Sequence, residues 1–98
     1  MADMADWKTR AHLEDHFEIH HRELRVRSVA EYDASAQETI AAGEAFSYYR
    51  PRAQEWRVGY FHRESSRFVA TDIDGFIRSH YRADEAHIAA LPRSTYRG

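Results

Sequence analysis

The 98-residue chain contains no cysteine, a single lysine, two prolines and four glycines. Without cysteine, disulfides, thiolate zinc sites and thiol nucleophiles are excluded. No apolar run approaches the roughly 18 residues of a membrane-spanning helix. The opening "MADMADWKTR" lacks the apolar segment of a secretory signal. Internal repeats, low-complexity tracts and Gly/Ser linkers are missing as well. What remains, 43% hydrophobic and 13% aromatic, suffices for one compact domain and not for two. Residues 1–98 therefore read as a single domain, with 1–6 as a flexible N-terminal edge, 7–43 helical and 55–97 a β-meander.

Charge is unevenly spread. The net charge of −2 argues against a nucleic-acid binder, yet the two halves differ in sign. Residues 1–49 carry five basic against ten acidic side chains, and residues 50–98 carry nine against six. Thirteen of the fourteen basic residues are arginine. Arginine is the better planar, bidentate partner for phosphate, although genomic composition alone also favours it.

Residues 7–25 have helical periodicity. Leu13, Phe17, His20 and Leu24 share a narrow arc, with His16 at its edge and His12 further round. Ser28 followed by Glu31 has the form of a capping box, so a second helix opens there, buries Val29, Tyr32, Ala36 and Ile40, and stops at Gly43 as a C′ residue. After Pro51 the period changes to two. "EWRVGYFH", "SRFVATD" and "GFIRSHYR" have strand composition and are joined by the short links "RES" and "DIDG", which favours antiparallel hairpins. "ADEAHIAAL" fits a short helical turn or a loop, and "RSTYRG" after Pro92 reads as a last edge strand. The expected fold is α+β: an N-terminal αα-hairpin packed on a three- or four-stranded antiparallel sheet, with the first helix covering its inner face.

The most unusual stretch is "AHLEDHFEIHHRELRV", with His12, His16 and His20 four residues apart and His21 beside the last. A metal-free ribonuclease needs a base for the ribose 2′-hydroxyl, an acid for the leaving 5′-oxygen, and cations or donors for the phosphoryl oxygens. Histidine suits the proton transfers; arginine and hydroxyl side chains suit the electrostatic role. His16 and His20 sit on a helix face, while the strands offer Arg57, Arg63, Thr71, Arg78, Ser79 and His80, and the last segment Ser94, Thr95 and Tyr96. Each has a structural alternative. His20 reads equally as a satisfied core histidine, Tyr96 as a buried ring, and Arg57 and Arg63 as members of a solvated strand face. Zinc binding is also conceivable from the i, i+4 histidines. However, neither His12 nor His16 is followed by the glutamate of the zinc-protease helix motif, and no third ligand is evident. No metal ligand and no cofactor is assigned.

"DHFEIHHRELRVRSVAEYDASAQETI" resembles the opening of toxin nuclease domains of the superfamily that groups barnase, EndoU, the tRNA-cutting colicins and RelE. Members found at the C-termini of bacterial polymorphic and contact-dependent toxins carry a His-aromatic pair, a second His three residues on, then a Ser, a Tyr and an Ala-rich helix. His16, Phe17, His20, Ser28, Tyr32 and Ala36 occupy those places. "SRFVATDIDGFIRSHYR" followed by "RSTY" is similar to the end of such domains, with Gly75, Ile77, Ser79 and Tyr96 in the matching positions. The likeness spans about residues 13–42 and 66–97. His21 stands where the family usually has Gly, Ser79 replaces a commoner Thr, and His80 lies outside the pattern.

The resemblance implies a metal-independent endoribonuclease toxin that cleaves tRNA in a single-stranded loop, leaving a 2′,3′-cyclic phosphate and a 5′-hydroxyl. His16, His20, Ser79 and Tyr96 become the catalytic candidates. Arg57, Arg63, Arg78, His80 and Thr95 are taken as substrate contacts from the strands themselves. It further implies a cognate immunity protein, no membrane partner, and action in the cytoplasm of a target bacterium, with "MADMADW" either a natural start or the edge of a longer toxin. A non-enzymatic RNA- or protein-binding module of the same fold is the alternative.

Overall fold

The computed structural model describes residues 4–98. Two helices, α1 (Arg10–Leu24) and α2 (Val29–Ala42), precede four strands, β1 (Glu44–Arg50), β2 (Glu55–His62), β3 (Arg67–Asp72) and β4 (Ile77–Arg82), and a short helix α3 (Glu85–Ala89) follows. The strands form one antiparallel sheet in the order β1-β2-β3-β4. The molecule is thus α+β, two helices followed by a four-stranded meander.

The helix boundaries follow from local chemistry. Thr9 caps α1, its hydroxyl accepting the His12 N–H at 3.0 Å. The helix ends where Arg25 enters the left-handed region at φ 57°, ψ 42°, its N–H bonding to the Arg22 carbonyl. Ser28 caps α2 by accepting the Glu31 N–H at 3.1 Å, and the Glu31 carboxylate reaches back to the Arg27 N–H. Gly43 does end α2, for a different reason from the expected left-handed cap. Its backbone is extended, and a Cβ there would lie 2.6 Å from the Thr39 carbonyl oxygen and about 3 Å from the Phe61 backbone. Glycine is required because the Thr39 carbonyl of the last helical turn, and behind it the β2 backbone, leave no room for a Cβ.

Residues expected as a loose edge and a first helical turn do something else. The Ile77 N–H donates to the Asp6 carbonyl at 2.7 Å, the Lys8 N–H donates to the Ile77 carbonyl, and Trp7 bridges to Ile77 in parallel. Gln37 of α2 clasps both backbone groups of Ala5. Residues 5–8 therefore extend the β4 edge of the sheet. Residues 1–3, the rest of that expected edge, lie outside the described residues.

Cross-strand register assigns the two faces of the sheet. On one, Val69 and Ile77 pack with Ala36 of α2, while Leu13, Leu24 and Phe17 of α1 pack with Tyr32. On the other, Phe46, Tyr48, Phe61, Phe68 and Ala70 form a core closed by Ala83, Ile88, Leu91 and Tyr96. A sheet covered on both sides explains why β3 is buried at every position from Phe68 to Asp72. α2, rather than α1, lies over β2 and β3; α1 runs along β4. The C-terminal segment forms no strand. It touches the outer edge of β1, where the Thr95 N–H donates to the Ser47 carbonyl at 2.9 Å and the Tyr49 N–H donates to the Pro92 carbonyl at 2.8 Å. The fourth strand is β1, "EAFSYYR".

Candidate active site on the seam between α1 and β4

The i, i+4 spacing of His12, His16 and His20 forms a stripe that α1 turns toward β4, while Leu13, Phe17 and Leu24, one position round, face α2. The ring centres are 4.3 Å apart for His12 and His16 and 5.8 Å apart for His16 and His20. Tyr81 of β4 continues the row 5.6 Å beyond His20. His12 anchors the upper end, its Nε2–H donating to the Arg78 carbonyl. At the lower end the His20 Nδ1–H donates to the Glu23 carboxylate at 2.8 Å, and the other Glu23 oxygen accepts the Arg82 N–H at 2.9 Å. A carboxylate on Nδ1 fixes the tautomer and ring orientation and leaves Nε2 to exchange protons.

His16 differs from its neighbours. Desolvation first, then the nearby His12 and His20, with Arg78 contributing and Asp15 opposing, bring its pKa down to about 4. At neutral pH it is an uncharged imidazole, the form a general base needs. β4 supplies the facing groups. Its register with β3 slips between Ala70 and Thr71, so Arg78 is the extra residue of a bulge. Ser79 is opposite Ala70, on the sheet face away from α2.

Buried polar atoms are almost always hydrogen-bonded, so the exceptions carry information. Among the described residues three buried side-chain atoms have no partner: His16 Nδ1, Arg78 Nε and Arg57 Nε. Arg78 forms no ion pair among the described residues. A guanidinium held in this way has donor capacity for an oxyanion, and it lies within Coulombic range of a neutral imidazole.

The remaining expected site residues are elsewhere. His80 is fully buried on the α2 side, so it touches no substrate; this corrects its assignment as a contact. Its Nδ1–H donates to the Phe68 carbonyl, and its Nε2 accepts the Ser35 hydroxyl, to which Arg67 donates in turn at 2.6 Å. The satisfied core histidine suspected at position 20 is in fact this one. Arg57 is not on a solvated face: its side chain is 7% exposed, it pairs with Glu55 at 2.9 Å, and it is the neighbouring Trp56 that is exposed. Tyr96 stacks edge-on against Phe46 and Phe61, on β1 and β2, two to three strands from the histidines, or about 10–14 Å. Glu85 and Glu44 stand near its hydroxyl and, after partial desolvation, push its ionisation upward. That acidic setting is unsuited to a phosphate, and Arg63 there is engaged by Glu85 at 3.0 Å. Thr95 is tied to Ser47. The α1–β4 seam therefore brings His16 and His20 to Arg78, with Ser79 the next residue of β4, and leaves Tyr96, Arg63 and Thr95 on the far edge.

Two members were absent from the sequence reading. Glu23 had a signal, because i, i+3 from His20 puts it on the same helix face. Tyr81 had none beyond its strand parity with Ser79. Among the described residues no three His, Asp or Glu side chains converge as a metal-binding group, and no helix is long and apolar enough to cross a membrane. The chain matches no family model, no curated protein and no solved structure.

Proposed function

We propose that this chain is a metal-independent endoribonuclease of the toxin type, of the barnase–EndoU–colicin–RelE kind, acting on tRNA at an unpaired loop. The observation that carries the reading is the orphaned Arg78 Nε beside the neutral, half-buried His16, one helical turn from a His20 oriented by Glu23. These are the chemical types that transesterification of RNA requires, brought to one seam.

In this mechanism His16 accepts the proton of the ribose 2′-hydroxyl as that oxygen attacks phosphorus. His20, protonated on both nitrogens at the start, gives its Nε2 proton to the departing 5′-oxygen, while Nδ1–H stays on Glu23. The 2′-O–P bond forms, the P–5′-O bond breaks, and the products are a 2′,3′-cyclic phosphate and a 5′-hydroxyl. The phosphoryl group then lies across the outer edges of the two rings, whose centres are 5.8 Å apart, rather than between their faces. Arg78 and the Ser79 hydroxyl donate to the non-bridging oxygens. Unpaired nucleotides suit this site because they can adopt the in-line geometry that a duplex forbids.

Such an activity inside a cell calls for an immunity protein, and an acidic surface on it would complement the Arg-rich second half of the chain. The direct test is an oligoribonucleotide carrying one 2′-deoxy sugar at the cut position. Cleavage of the all-ribo strand and survival of the substituted one supports 2′-hydroxyl attack. Equal cutting of both would rule it out.

A further inference from the structure

A cavity of about 260 Å³ opens at the lower end of the same seam, lined by Glu23, Leu24, Arg25, Ser65, Arg67 and Arg82. Three arginines and one glutamate stand among its lining residues. Arg25, Arg67 and Arg82 form no ion pair among the described residues, in a chain with sixteen acidic side chains. The carboxylate is spoken for: Glu23 gives one oxygen to His20 and the other to the Arg82 N–H. Arg67 is spanned between the Ser35 hydroxyl and the Leu24 carbonyl at 2.6 and 2.9 Å. That second bond quiets a helix-end carbonyl that would otherwise repel an anion. Backbone strain marks this end of the seam: the lining Arg25 holds a positive φ of 57° without being glycine, and Ser66, beside the lining Ser65, one of 56°. Such conformations cost about 1–3 kcal/mol each and persist where the surroundings enforce them. At Arg25 the strain turns the chain at the mouth of the cavity.

We infer that this cavity binds a backbone phosphate of the RNA, one next to the phosphate being cut. The inference rests on the ribonuclease reading only in naming RNA as the source of the phosphate. Glu23 joins the two places: it lines the cavity and orients the acid His20. A phosphate seated on Arg25 and Arg82 therefore fixes the strand relative to the catalytic pair. Arginine forks, unlike ammonium groups, can grip such a phosphate bidentately. Ser65, on the β2–β3 turn, completes the cavity wall, its hydroxyl held by His62 at 2.7 Å.

The test uses a short single-stranded oligoribonucleotide made of 2′-O-methyl nucleotides, which cannot be cut by 2′-hydroxyl attack, so binding is read apart from cleavage. Its affinity is measured against salt for the wild-type chain and for the double variant Arg25→Gln, Arg82→Gln. Both arginines are exposed, so the variant should melt at the wild-type temperature. The expected result is a loss of at least about tenfold in affinity, from charged hydrogen bonds lost. The log–log salt slope should fall by about 0.7, the value for one phosphate contact on a single strand. Inorganic phosphate should shift the backbone resonances of Arg25, Val26 and Arg82 in the wild type and not in the variant. Unchanged affinity and slope would overturn the assignment. So would loss of binding only to an acidic protein, which would make the cavity a protein contact. If the oligonucleotide depends on Arg25 and Arg82 while all-ribo RNA stays uncut, the cavity stands and the ribonuclease reading falls.

Discussion

Acidification should destabilise this protein, and His80 is the more deeply buried of the two histidines through which it does so. Its imidazole has no exposed surface and sits between the Phe68 carbonyl and the Ser35 hydroxyl. Desolvation, the largest effect, together with Arg67 and His20 lowers its pKa from the ordinary 6.5 to about 4, against the opposing pull of the Phe68 hydrogen bond and Glu23. A proton on Nε2 would point at a Ser35 oxygen that already receives a guanidinium N–H from Arg67. Between pH 6.5 and 4 the unfolded chain binds that proton and the folded chain does not, so stability rises with pH across the window and is lost as pH falls through it. At 1.36 kcal/mol per pKa unit the 2.5-unit difference amounts to about 3 kcal/mol. That is a large part of the 5–15 kcal/mol typical of small domains. The assay is urea unfolding at steps between pH 7 and 4 for the wild type and for His80→Gln, which keeps a donor and an acceptor but does not titrate. His16 titrates with the same sign, so the quantity to read is the difference between the two pH profiles. A difference near 3 kcal/mol is expected; superimposable profiles would refute the buried, neutral His80.

Gly59 lies under two rings, and a Cβ there would be 2.4 Å from Phe46 Cζ and 2.8 Å from Phe68 Cε1. Gly59→Ala should therefore cost about 1–3 kcal/mol by overpacking, read as a lowered Tm; an unshifted Tm would mean the rings yield freely. Arg57→Met removes a buried, half-satisfied guanidinium while keeping most of its volume, so denaturant unfolding should show equal or greater stability. A loss above about 2 kcal/mol would mean that its pair with Glu55 outweighs burial of the charge. If His16 is the base, the acid limb of the cleavage profile lies near pH 4. Arg78→Gln removes one of the charges that lower it, so the limb should move to higher pH, and a limb at the unperturbed histidine value in the wild type would exclude His16 from the role.

Much of the fold was legible because it is written in local rules. Ser28–Glu31 marked the start of α2, and alternation marked β2, β3 and β4 to within two residues. β1 was missed because "EAFSYYR" falls between a helix-ending glycine and Pro51, where its Phe46 and Tyr48 alternation is too short to separate from a link. The segment "RSTYRG" does reach a sheet edge, that of β1, but the two backbone hydrogen bonds made there by Thr95 and the preceding Pro92 do not build a strand ladder. Parity along β2 separated Arg57 from Trp56 but could not say which face would be covered. α3 and the C-terminal segment decide that, by closing over the Arg57 side. At the site, the four-residue spacing of the histidines was enough to put them on one stripe. The stripe's direction was not, because the apolar arc is fixed by contact with Tyr32 and leaves the histidines to β4.

The most direct measurement is incubation of the pure protein with total tRNA in EDTA beside His16→Ala, resolved on a denaturing gel with end-group analysis. Discrete fragments ending in a cyclic phosphate, formed by the wild type and lost in a folded His16→Ala, are the expected result. Intact tRNA with folded wild-type protein, or fragments that persist in the variant, would contradict a catalytic seam between α1 and β4.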